Sequence, residues 1–271
     1  MTGGRALGAI ACAAIVATFA PGCAALVSWD QFSQTAGDAG GGGDAGGRDD
    51  GGGDGATADT SGGDAGGAIA FVQANAVALD NMSRSIINVP FKSPQVAGDL
   101  NVLVIGWYDT TVSLATVTDS SGNAYQLAGA PTSVTGSDPI VQAIYYAPHI
   151  AAAAAEANVV TVTWDNPACA PDVRVVEFRG VDTLDETAGS AGLDGPASVT
   201  MKPTKTAPEL LVAGGTSTSG FSTADPPYTL AIVSIGADIV EYRVAGEAAM
   251  FTAAPPLVNG KSWVMQLAAF R

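Results

Sequence analysis

Residues 36–68, AGDAGGGGDAGGRDDGGGDGATADTSGGDAGGA, hold no Val, Leu, Ile, Met or aromatic side chain. Such a stretch has no apolar surface to bury against the entropy lost on ordering, so it cannot join a core. It predicts a disordered tether that divides the chain. Glycine leaves the backbone unrestricted, and the aspartates repel one another and extend it. A coil of this length has a root-mean-square span of ~30 Å and a stretched limit of ~110 Å. Gly41-Gly42-Gly43-Asp44-Ala45-Gly46 satisfies G-x-G-x-x-G, but no strand precedes it and no helix follows, as a dinucleotide site requires. Calcium-binding Asp/Gly repeats need an apolar residue in each turn, and none is present here.

Before the tether, Arg5 precedes an apolar run over residues 6–20. Its 15 residues suit the core of an export signal and fall short of the ~20 a bilayer span needs. The run ends in Phe19-Ala20-Pro21-Gly22-Cys23. This resembles a bacterial lipobox, with Ala20 where that family usually has Leu. The resemblance implies that residues 1–22 are removed and that Cys23 is lipidated. The protein would then be held at the cell envelope by a membrane anchor of more than one acyl chain, palmitate included, since one chain binds only marginally. Ala24 after the cysteine implies sorting to the outer membrane or cell surface. The alternative is ordinary cleavage after Ala20 or Gly22 and a secreted product. Residues 24–35, AALVSWDQFSQT, form a membrane-proximal segment that carries Leu26, Val27, Trp29 and Phe32.

From residue 69 the texture changes to short runs rich in Val, Thr and aromatics, punctuated by Gly, Pro, Asp and Asn. Strands are predicted at 69–79, 85–91, 100–108, 113–119, 124–128, 140–147, 159–165, 173–178, 197–201, 210–216, 231–235, 242–245, 249–252 and 262–270. Residues 100–105, LNVLVI, are apolar on both faces, which places that strand in the middle of a core. Val160, Val162 and Trp164 alternate with Thr161 and Thr163, the half-buried pattern. Asp119-Ser120-Ser121-Gly122-Asn123 reads as a hairpin loop. Residues 150–156, IAAAAAE, are the one helical candidate, worth a turn or two. Many short strands without intervening helices predict an all-β antiparallel sandwich over 69–271, jelly-roll-like or immunoglobulin-like.

Five segments recur in order within this domain: Ala97-Gly98-Asp99-Leu100; Thr118 to Tyr125; Ile144-Tyr145-Tyr146-Ala147; Val176 to Asp182; and Glu209-Leu210-Leu211-Val212. Together they resemble an uncharacterised β-sandwich module of bacterial extracellular proteins. The resemblance implies a fold and no activity.

Charge and chemistry narrow the function. The chain carries a net −15, and from residue 69 onward 18 acidic residues face 9 basic ones. Nucleic-acid binding needs a basic surface, so it is excluded. The one histidine, His149, lies beside Pro148, and no G-x-S-x-G elbow supplies a nucleophile. Cys12 leaves with the signal and Cys23 is acylated, so Cys169 is expected to have no disulfide partner. No catalytic residue, cofactor site or metal site is therefore assigned. Asp182, Asp185 and Glu186 crowd one predicted loop, and Asp165 and Asp172 flank another at 167–171. These acids leave open a loop-bound calcium ion, or a pair of hydrolytic carboxylates held at a defined separation. Trp107, Tyr108, Tyr145, Tyr146, Trp164 and Trp263 could stack sugars, although five of the six sit in apolar strands where core packing is the default. The expectation is a non-enzymatic module that binds glycan, envelope polymer or protein. The alternative is a carboxylate-dependent hydrolase acting on an extracellular polymer.

Overall fold

A computed structural model of the chain describes residues 67–79, 82–259 and 261–271. The expected export signal, Cys23, the 24–35 segment and the expected tether up to residue 66 lie outside them. The described residues hold sixteen strands and no helix, and every strand pairing is antiparallel. The all-β sandwich architecture expected from the strand pattern is the one found.

Two large sheets lie at the centre. One has the order β1 (Ala70–Ala78), β9 (Asp172–Arg179), β3 (Leu100–Trp107), β7 (Ile140–Ala147) and β5 (Gln126–Leu127), with β6 (Thr132–Val134) also on β7. The other runs β10 (Leu184–Gly192), β16 (Trp263–Phe270), β12 (Glu209–Ser217), β14 (Ile239–Ala245) and β13 (Thr229–Val233). Each is covered on its outer face by a smaller sheet. The first is covered by β2 (Ser83–Pro90), β8 (Val159–Cys169) and β4 (Leu114–Asp119), and the second by β11 (Val199–Thr200) and β15 (Thr252–Ala253).

Three cores separate the four layers. Leu103, Ile105, Val173 and Val175 meet Val89, Val160, Val162 and Trp164 in the first. Leu100, Val102, Val176 and Phe178 meet Leu210, Val212, Ala268 and Phe270 in the central one. Leu211, Ala213, Met265 and Leu267 meet Val199, Met201, Phe251 and Ala253 in the third. A strand in a central sheet therefore buries both of its faces. This is why β3, β12 and β16 are buried at every residue and read as continuous apolar runs.

The order of strands repeats. β1 to β9 and β10 to β16 place corresponding strands in the same order, β1-β9-β3-β7-β5 against β10-β16-β12-β14-β13. The registers correspond as well. Leu100 opposes Phe178 as Leu210 opposes Phe270. A bulge falls at Phe71/Gln73 in β1 and at Leu184/Glu186 in β10, opposite those same two phenylalanines. The Phe91 amide bonds the Asn158 carbonyl at 3.0 Å, and the Met201 amide bonds that of Phe251 at 2.9 Å. Aligned on these pairs, FKSPQVAGDL at 91–100 matches MKPTKTAPEL at 201–210 without a gap, with Lys, Ala and Leu in common. The chain contains one sandwich twice, the two copies stacked on their larger sheets. β1 lies against β13, and β10 against β6.

Several expectations are corrected. Residues 150–156 form no helix; Ala153 instead bridges Gln95. The Asp119–Asn123 turn forms, with Gly122 at φ 75°, but β4 pairs with β8 and β5 with β7. It carries the chain from outer to inner sheet and is not a hairpin loop. The expected loop at 182–186 gives way to β10. Its Ala, Gly and acidic residues have little strand propensity, and pairing with β16 decides the matter. The expected 167–171 loop is mostly strand, because β8 runs on to Cys169. Pro167 fits where the ladder with β2 is interrupted, so its missing N–H leaves no gap.

Candidate functional site

The outer sheet of the first copy has three strands over the five-strand path it covers, so one side of that sandwich stays open. There β3, β4, β6 and β7 enclose a cleft of about 250 Å³. Trp107 ends β3 and is 2% exposed, so its indole belongs to the wall and not to a surface platform. Its Nε1 donates to the Val112 carbonyl at 3.0 Å, which pins the loop leading into β4. That loop is set further by Asp109, whose Oδ1 accepts from the Thr111 amide at 2.8 Å. The Ser113 amide donates to Asp165 Oδ1 at 3.0 Å. Pro131 and Ser133 of the β6 region form the opposite rim, and Val141 and Tyr145 of β7 complete the lining.

No lining residue is charged. Burial pushes the Tyr145 phenol up from its usual range, so it remains a neutral hydroxyl at physiological pH. The hydroxyls of Thr110, Ser113, Ser133 and Tyr145 border the cleft, and none has a hydrogen-bond partner within the described residues. The site thus offers an aromatic and aliphatic wall edged by four neutral donor–acceptor groups.

The remaining sequence candidates serve the fold. Trp164 packs edge-on to Trp107 with centroids 6.2 Å apart. Trp263 is buried over Gly192 and donates to the Asp194 carbonyl at 3.2 Å. Tyr108 donates to the Ser217 carbonyl at 3.0 Å, and Tyr146 packs on Phe270. Of the six aromatics only Trp107 and Tyr145 share the cleft. Asp182 pairs with His149 at 3.4 Å on the surface. Asp185 accepts from the Lys205 amide at 2.8 Å, and that bond chiefly holds its pKa below the usual range. Among the described residues no three His, Cys, Asp or Glu side chains converge to hold a metal ion. Cys169 is disulfide-bonded, which corrects the expectation that it has no partner; the other cysteine lies outside the described residues, and lipidation of Cys23 requires that it not be Cys23.

Two buried polar clusters were not foreseen. At one corner of the first copy, Gln73 Nε2 donates to Glu177 Oε2 at 2.6 Å, and Asp99 hydrogen-bonds the same carboxyl. Burial raises the pKa of both acids. Glu209 stands at the position equivalent to Asp99 and hydrogen-bonds Asp185; burial raises the pKa of Glu209, while the Lys205 amide holds that of Asp185 down. The second cluster lies between the two central sheets. Arg174 donates to the carbonyls of Gly215 (2.7 Å) and Ile239 (2.9 Å) and to Thr216 Oγ1 (2.8 Å). Its Nε lies 3.3 Å from Asp172, and Asp238 stands 3.9 Å away. Arg174 is fully buried and links the two central sheets, and the Glu177 carboxyl is fully buried at its corner. The signal that could have found the second was an Arg inside an otherwise apolar strand, β9.

Comparison with known protein families, curated proteins and solved structures finds no match to this chain.

Proposed function

We propose that the protein is a cell-envelope lipoprotein, anchored through acyl chains on Cys23, that presents a non-enzymatic binding module on a Gly/Asp tether. The observation that carries the binding role is the cleft between β4 and β6. It combines an uncharged aromatic wall with four hydroxyls that have no partner in the described chain. Thr110, Ser113 and Ser133 are exposed and Tyr145 is half-buried, so these hydroxyls are accessible to a molecule seated on the apolar wall, the combination of an apolar surface and a few polar groups that a binding site uses. The lipobox-like Phe19–Cys23 stretch and the tether support display at the outer membrane or cell surface.

Two measurements test this reading. The full chain and Cys23→Ser are expressed in a Gram-negative host, and membranes are separated from soluble fractions. The parent chain is expected in the membrane with a mass increase at Cys23, and Cys23→Ser in the soluble fraction. Equal partitioning of the two would refute the anchor. Immobilised Cys23→Ser is then incubated with solubilised envelope polysaccharide, peptidoglycan fragments and envelope proteins. Saturable retention of one class is expected, and retention of none by folded protein would refute the binding role.

A further inference from the structure

We infer that the cleft of the first copy binds a single uncharged sugar ring, within or at the end of a neutral glycan. This rests on the binding-module reading above and gives it a ligand class and a place.

The internal duplication supplies the argument. Tyr145 opposes Leu127 as Glu241 opposes Leu230, so these two side chains occupy equivalent positions. Trp107 corresponds in the same way to Ser217. Leu114 opposes Trp164 in β4, and the isolated Phe221–Leu257 bridge is what remains of that pairing in the second copy. Each second-copy residue is committed to its own chain. Glu241 accepts from the Asp225 amide at 2.7 Å. Ser217 donates to the Ser262 carbonyl at 3.1 Å and accepts from the Ser219 amide at 3.1 Å. Phe221 is 3% exposed and lies in the core. In the first copy Trp107 is likewise committed, its Nε1 bonded to the Val112 carbonyl, but the Tyr145 hydroxyl has no such partner among the described residues, and Thr110, Ser113 and Ser133 beside it are exposed. The framework is therefore closed by Glu241 in one copy and left open at Tyr145 in the other.

The chemistry of the opening selects the occupant. At about 250 Å³ it lies below the ~300–1,000 Å³ of sites for drug-sized ligands, which suits one ring. A lining without charge inside a strongly acidic domain gives an anionic ligand nothing to pair with and a repulsive field to cross. A peptide would ask for backbone donors and acceptors, whereas the free groups here are side-chain hydroxyls. A pyranose offers an apolar face to Tyr145 and Pro131 and hydroxyls to Thr110, Ser113 and Ser133.

The full chain carrying Cys23→Ser is titrated with cello-, malto-, manno- and chito-hexaose by calorimetry and by saturation-transfer NMR. A proline-rich decapeptide and a polyuronate serve as comparison ligands. Binding of at least one neutral hexaose is expected, weakened about tenfold by Tyr145→Ala, the loss of one stacked ring. If Tyr145→Ala lowers the urea midpoint, Tyr145→Phe and Ser133→Ala replace it, each expected to weaken binding about threefold through one lost hydrogen bond. Failure of every neutral hexaose, preference for the peptide or polyuronate, or hexaose binding that ignores all three substitutions would overturn the proposal. Envelope retention that persists in the earlier assay while the hexaoses fail would sink the ligand class alone. Loss of both would sink the binding module with it.

Discussion

Replacing Arg174 with Met should destabilise the protein more than almost any other single change outside the apolar cores. The guanidinium is 0% exposed, and the carboxylates of Asp172 and Asp238 beside it are 4% and 2% exposed. Methionine fills much of the same space but leaves two acids in the seam between the central sheets without their cation. Breaking a buried ion pair from one side costs about 3–5 kcal/mol, because an uncompensated charge stays behind. For a unit of this size each kcal/mol lowers Tm by about 2–4 °C, so a drop of roughly 6–20 °C follows. Urea unfolding at neutral pH, followed by circular dichroism, reads the loss as a lower midpoint at unchanged slope. Asp238 already has a pKa well above the usual carboxylate range, chiefly from burial and then from the charge on Asp172, with Arg174 opposing both. Without Arg174 the native state holds protons that the unfolded state has released. The deficit should therefore shrink as pH falls from 8 toward 5. Neutralising the acids as well, in Arg174→Met/Asp172→Asn/Asp238→Asn, should recover at least half of the loss. A cost below about 1 kcal/mol for Arg174→Met, or no recovery in the triple variant, would refute the reasoning.

Two further substitutions test other parts of the structure. Burial pushes the Glu241 carboxyl up to about 7 from its usual 4.5, so folding retains a proton across that interval and stability falls as pH rises through it. Glu241→Gln keeps the neutral shape and should flatten that part of the pH–stability curve; a curve unchanged from the parent would contradict the assignment. A Cβ on Gly214 would lie 2.5 Å from Val104 Cγ1 on the facing sheet. Gly214→Ala should therefore force the two central sheets apart at a cost of about 1–3 kcal/mol, and an unchanged urea midpoint would show that the seam has slack.

Local pattern carried much of this fold. The strand predicted at 140–147 has the same bounds in the structure, and 159–165 forms the half-buried part of β8 that its alternation implies. The doubly apolar run at 100–105 lies between two cores, as such a run must. Where pattern was weak, pairing decided. β10 is built from LDETAGSAG and β6 from three residues, and neither has a period long enough to read. That omission also hid the cleft, because β6 supplies the Ser133 rim opposite β4. Trp107 and Tyr145 were visible as aromatics, but only the narrower outer sheet brings them to one opening and sends Trp164 and Trp263 inside.

The sequence by itself determined the all-β class and the acidic balance of charge. These follow from composition and period, which act residue by residue. Only the tertiary structure decided that the domain is one sandwich twice. The copies preserve registers, bulges and turns while exchanging most side chains, and backbone geometry tolerates such exchange wherever volume and hydrogen bonding are kept. Only the fold, too, could bring Arg174, Gln142, Thr216, Gln266 and Asp238 together, since they come from four strands and the residue before a fifth and meet only when two sheets close on each other.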